Sequence, residues 1–156
     1  MTLEALRSRY QTAVNDAAAA RSLWEALQDT AESAIEIAYR ASARALMARH
    51  AFNPFDKLAF LKEANRDFRR AVRLDAENLE IRFLRFAIQH YIPAFVGESE
   101  NLEEDKTKLL ANFARFREFD LSPEQARQFW EFFGQTGRFS AVELSKMEAV
   151  LVEARA

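Results

Sequence analysis

The chain has 156 residues, a net charge of −2 and no cysteine, with 49% hydrophobic and 29% charged residues. A chain of this length suits one domain, 1–156, able to bury roughly 68–70% of its unfolded surface around a single core. The charge balance leaves no basic footprint for nucleic acid, no apolar run is long enough to span a membrane, and the lack of Cys removes disulfides, thiol nucleophiles and Cys-ligated metals.

Thr2 reads as the N-cap of a first helix running to Tyr10 or slightly beyond, with Leu3, Leu6 and Tyr10 on one face. Beyond Asn15-Asp16, Ala17 to Leu27 is helical, with Leu23, Trp24 and Leu27 apolar. Asp29 and Glu32 have capping-box spacing and open a long helix from Ala31 to about Ala51. Asn53-Pro54-Phe55-Asp56 is a sharp boundary: a cap, a Pro suited to the first turn, and an acid near the positive helix end. The next helix runs from Pro54 to about Leu74, and the surrounding apolar periodicity predicts that Phe55 packs inward. A polar turn at Asp75–Asn78 leads into Leu79–Tyr91, which Pro93 stops, and a loop follows around Gly97.

Asn101 with Glu104 forms another capping-box pair, opening a helix to about Glu118 with Leu109, Phe113 and Phe116 as its stripe. Ser122-Pro123-Glu124-Gln125 is the clearest helix start, followed by Phe129, Trp130 and Phe133 and ended by Gly134 and Gly137. Ser140 with Glu143 caps a last helix whose Leu144, Met147 and Leu151 face inward. Three Gly and three Pro are too few for hairpins and phosphate loops. The chain therefore reads as all-α, an antiparallel array of seven or eight helices without a sheet.

Inside this array Ala64, Phe68 and Ala71, followed by the Asp75–Asn78 turn, match the second half of a tetratricopeptide-type helix pair. The small Ala residues let two helices approach and Phe68 fills the groove between them, so Phe68 and Ala71 are expected in the core. Ala38-Tyr39 and Ala43 fit a preceding first helix, joined by about nine residues more than the ordinary repeat period. Phe83, Phe86 and Ala87 fit the next first helix if one residue is slipped, and Trp130, Phe133 and Gly134 match a third loosely. The repeat is degenerate, and a plain antiparallel bundle would carry Ala and Phe at the same spacing.

Ala38-Tyr39, the Asn53–Leu58 junction, Asn78 to Arg85 with Gln89 and Pro93, and the Glu104–Lys106 helix start form a combined pattern. It resembles an uncharacterised family of bacterial tetratricopeptide-like helical proteins over roughly Ile35 to Leu110. The resemblance implies a fold and no mechanism. Members often begin with an export leader, so the chain as given reads as cytoplasmic, and as periplasmic or exported if a leader preceded Met1.

Arg82, Arg85 and Gln89 fall on one helix face, between an apolar stripe of Ile81, Leu84, Ile88 and Tyr91 and another of Phe83, Phe86 and His90. The polar stripe has two readings. The guanidinium pair either lines a groove and grips a carboxylate or peptide backbone, or pairs with nearby acids such as Glu80 or the 101–105 run, or ties down helix-end carbonyls. Arg40 and Arg44, four residues apart, fall where inner-face residues of a repeat array lie, or else on a solvated face. These five are the candidate partner-binding residues. His50 and His90 lack metal-ligand spacing, and Glu103-Glu104-Asp105 suits a helix start without calcium.

The expected function is a non-catalytic interaction module holding a protein or peptide in a groove between helices, without cofactor or metal. The alternatives are a small-molecule or lipid carrier with a Phe-lined cavity, or a homo-oligomeric structural protein with exposed aromatics as subunit contacts.

Overall fold

Helix-start chemistry sets most boundaries. In the computed structural model, which describes residues 1–155, the Thr2 hydroxyl accepts from the Ala5 amide at 3.1 Å and opens α1, Leu3–Ala13. The Asp16 carboxylate accepts from the Ala19 amide at 3.1 Å, so the chain breaks there and restarts as α2, Ala17–Leu27. Helix α3, Ala34–His50, begins later than the Asp29/Glu32 spacing suggests. Its capping box is Ser33 with Glu36, each side chain closing on the other's backbone, and Asp29-Thr30 belong to the preceding turn.

Asn53 caps α4, Pro54–Leu74, through the Phe55 and Asp56 amides, and Asn78 caps α5, Leu79–His90, through the Ile81 amide. Helix α6 spans Leu102–Asn112, but Asn101 makes no side-chain cap; its amide oxygen accepts from Gln89 instead. Ser122 and Gln125 form a full capping box on α7, Pro123–Thr136, and Ser140 with Glu143 does the same for α8, Ala141–Arg155. Gly134 lies inside α7; only Gly137, at φ 71°, terminates it in the left-handed conformation that favours glycine. The described residues thus hold eight α-helices and no strand.

The helix expected to run to Glu118 stops at Asn112, whose side chain donates to the Glu77 carbonyl and carboxylate at 2.9 and 3.0 Å. The chain continues as a 3-10 segment, Phe113–Phe119. Three residues per turn stack positions i and i+3 on one side. Arg115, at φ −97° and ψ 21°, kinks the segment between Phe113 and Phe116, and both of these rings are buried. Asp120, at φ 58°, then reverses the chain.

Two cores meet across α5. The first gathers Leu6, Leu23, Ile37, Phe68, Ala71 and Ile81 from α1–α5. The second gathers Leu79, Phe86, Phe113, Phe116, Phe133 and Met147 from the C-terminal half. Ile81, Leu84 and Ile88 face one core and Phe83 and Phe86 the other, as the two apolar stripes on this helix predict. A helix apolar on two faces is buried on both. Helix α3 packs chiefly on α4 and also meets α1, α2 and α5, an approach that its Ala38, Ala41 and Ala45 permit.

Phe55 does not pack inward: it is 83% exposed, and its neighbour Phe52 is fully exposed. At 3.6 residues per turn, thirteen residues carry Phe55 roughly 140° away from the direction of Phe68 on the same helix. The junction residues are therefore capped and in register, while the aromatic ring projects to solvent. Because α3, α4 and α5 alternate in direction, the α3–α4 turn and the end of α5 lie at one end of the array. The Lys57 ammonium, donating to the Ala48 carbonyl at 3.3 Å, ties the first two of these helices together there.

Candidate functional site

The polar stripe of α5 is internal. Arg85 donates through Nε to Asp105 Oδ2 and through Nη2 to Asp105 Oδ1 and Glu104 Oε2, each at 2.7 Å. Arg82 donates to Asp105 Oδ1 at 2.9 Å, to Glu104, and through Nε to the Ala76 carbonyl at 3.0 Å. Asp105 and both arginines are buried, whereas the Glu104 side chain is half exposed. Hydrogen bonding from Arg82 holds the Glu104 carboxyl below its usual range. Burial pushes the Asp105 carboxyl up, and the two guanidiniums oppose this.

Gln89 extends the same seam. It donates to Asn65 Oδ1 and Asn101 Oδ1 at 3.1 and 3.0 Å, and accepts from the Asn101 amide at 2.9 Å. The structure therefore brings Arg82, Arg85 and Gln89 together as the polar contact between α5 and the start of α6, with the 101–105 run as their partner. None of the three lines an open groove.

Arg40 and Arg44 are also engaged within the protein. Arg40 makes a two-pronged bond to Asp67 at 2.7 and 3.0 Å, which raises the guanidinium pKa, and donates to the Gln28 carbonyl. Arg44 pairs with Glu63 and lies between the rings of Trp24 and Phe60, each centroid 4.1 Å from its guanidinium carbon. These two arginines clamp α3 to α4 and α2.

Another buried polar centre has no counterpart in the sequence reading. Arg7 donates to both carboxylate oxygens of Glu80 at 2.8 and 2.9 Å, Tyr39 donates to the same carboxylate, and Arg7 also reaches the Asp120 carbonyl. Glu80 thus serves α1 and α3 rather than its neighbour Arg82. The only available signal was a charged residue amid the apolar stripes of α5, and that does not reveal a partner seventy-three residues away.

The open feature lies at the end shared by α3, α4 and α5. A cleft of about 700 Å³ opens between these helices, α1 and α7. Its walls are mainly apolar: Val14 just after α1, Leu61 from α4, Phe83 and Ile88 from α5, and Phe132 from α7. Ala45, Ala48 and Ala87 leave the space that larger side chains would occupy. Tyr91, 72% exposed, stands at the mouth.

The charged groups of this cleft are Arg49 and Lys57, and no Asp, Glu, Ser, Thr or His lines it. Arg49 donates to the Val14 carbonyl at 3.4 Å, and Lys57 to the Ala48 and Arg49 carbonyls at 3.3 and 3.4 Å. Both cations sit near helix C-terminal carbonyls, where the macrodipole favours them. Each retains further N–H donors. Neither has a carboxylate within ion-pair distance among the described residues.

Tyr10 lines the same cleft and rests edge-on against Tyr39 at 5.8 Å. Burial, aided by Tyr91 and opposed by Arg49, pushes its phenol up to about 12. The unfolded value is about 10, so the folded chain holds this proton more tightly. Its stabilising contribution is complete below about pH 10 and is lost as pH rises through the folded value. Tyrosinate absorbance should therefore show Tyr10 ionising late in an alkaline titration of the folded chain. Tyr10→Phe should remove that late step and lessen the loss of stability between about pH 10 and 12. A Tyr10 step at the ordinary tyrosine value would mean that the phenol is fully solvated.

No helix among the described residues is long and apolar enough to cross a membrane, and no group of three or more potential metal ligands occurs among them. No family model, curated protein or solved structure matches the chain.

Proposed function

We propose that this chain is a non-catalytic binding module that holds a protein or peptide partner in the cleft between α1, α3, α4 and α5. The observation that carries the reading is the cleft itself: about 700 Å³, apolar, and open at a mouth marked by an exposed tyrosine. A preformed apolar recess with a few polar groups is the usual form of a binding site. Its lining holds two cations and two phenols, and no Asp, Glu, Ser, Thr or His. The tetratricopeptide-like resemblance supports the same reading, since such helix pairs present grooves to partners. The partner-binding role moves from the α5 polar stripe to Arg49, Lys57, Tyr10 and Tyr91.

The carrier reading keeps one specific support, the Phe83 and Phe132 rings in the cleft wall. One experiment separates the two. A photo-crosslinking residue at Tyr91, and a control at Glu148 on α8, are exposed to native extract. The module reading expects a defined protein adduct at the first position alone, abolished by Ala87→Trp, which fills the cleft. Tyr91→Glu, at an exposed position, should also weaken capture while the chain remains folded. An adduct retained in both variants places the partner elsewhere. Absence of a protein adduct, with extracted lipid bound to the purified chain, selects the carrier.

A further inference from the structure

The geometry points to one face of an amphipathic α-helix, from a partner protein, as the occupant of this cleft, with an acidic side chain of that helix meeting Arg49 and Lys57. This deepens the binding-module reading and rests on it.

Shape is the first argument. Along α5 the lining runs from Phe83 to Tyr91, about 12 Å at the rise of an α-helix. That length matches the roughly 10.5 Å between positions i and i+7 on one face of a partner helix. One row of its side chains fits, with the backbone left outside, as in the helix-in-groove mode.

The second argument is that apolar surface continues past the mouth. Phe52 lies in the turn before Lys57, and Phe95 follows Pro93, another cleft residue. Their exposures are 100% and 91%, far beyond what an isolated recess requires. An elongated partner crossing the mouth covers these rings, and a ligand confined to the recess does not. Exposed aromatics around a pocket are frequent anchors of protein interfaces.

Charge supplies the third argument. Arg7, Arg40, Arg44, Arg82 and Arg85 each have a carboxylate partner within the chain. Arg49 and Lys57 have only backbone carbonyls. A partner closing over them removes water from two cations, which is costly unless an anion is supplied. A carboxylate reached by both satisfies that need.

The test uses three synthetic helical peptides, each about four turns long, with the same leucine anchors at i, i+3, i+4 and i+7. They differ at one position a turn beyond the anchors, which carries Glu, Gln or Lys. Binding to the full chain is read by fluorescence anisotropy. The Glu peptide should bind best and the Lys peptide worst, by about tenfold or more. In the double variant Arg49→Glu, Lys57→Glu the order should reverse, with circular dichroism confirming the fold. Both positions are solvent-accessible, and the single variants Arg49→Gln and Lys57→Gln, which should flatten the order, serve if the reversal perturbs folding. Equal affinities, or an order unmoved by the variants, overturn the acidic-helix assignment and leave the cleft reading to its own crosslinking test. Absence of peptide binding overturns the helix as occupant. So does preferential sedimentation with phosphatidylglycerol vesicles, which would make a membrane surface the partner of the exposed aromatics.

Discussion

Asp105→Ala should destabilise the chain by about 3–5 kcal/mol, the cost of removing one member of a buried ion network. Asp105 has no exposed surface and accepts three hydrogen bonds, one from Arg82 and two from Arg85. Its removal leaves two guanidiniums, with side-chain exposures of 4% and 2%, short of their main counter-charge. Glu104 can offset only part of this, since its own side chain is 54% exposed. Glu104→Ala should accordingly cost about 1 kcal/mol or less. Urea unfolding with linear extrapolation checks both, an unchanged m-value confirming that the native stability is what moved. Equal small losses in the two variants would show that α6 docks on α5 without help from this network. By the same reasoning Arg82→Ala and Arg85→Ala should lower stability and leave the partner affinity of the folded fraction unchanged.

Phe68→Ala should cost about 3–5 kcal/mol through the cavity it leaves. Phe68 is fully buried on α4 and belongs to the first core with Ala64, Ala71 and Ile81. Phe55→Ala on the same helix removes the same ring from solvent, and its effect should lie within about 0.5 kcal/mol. The pair is an internal comparison: identical chemistry, one helix, opposite directions. A melting temperature of Phe68→Ala within a degree or so of the parent would contradict the packing of α4 against α3.

What was legible from sequence was local. Thr2, Asn53-Pro54, Ser122-Pro123-Gln125 and Ser140/Glu143 mark helix starts because the groups that satisfy the first amides lie within three residues of them. The two apolar stripes of α5 were legible because helical periodicity repeats within a turn or two, and they place this helix between two cores. Phe68 and Ala71 were legible as core for the same reason.

The tertiary structure decided everything that depends on which helix faces which. Spacing offers a capping box at Asn101/Glu104, yet both side chains are drawn to α5, because Arg82, Arg85 and Gln89 present stronger unmet needs there. Periodicity cannot tell that the aromatic run after Asn112 tightens to three residues per turn, since that depends on the core it must enter. Phe55 projects outward because packing buries the face of α4 that carries Phe68, roughly 140° around the helix from it. The Arg7–Glu80–Tyr39 centre joins residues from three helices, and the cleft is a space left between side chains from five segments. A cap or a stripe is a property of neighbours along the chain. An ion network or a cleft is a property of packed faces, and long-range burial alone determines which polar groups are paired within the protein and which face solvent.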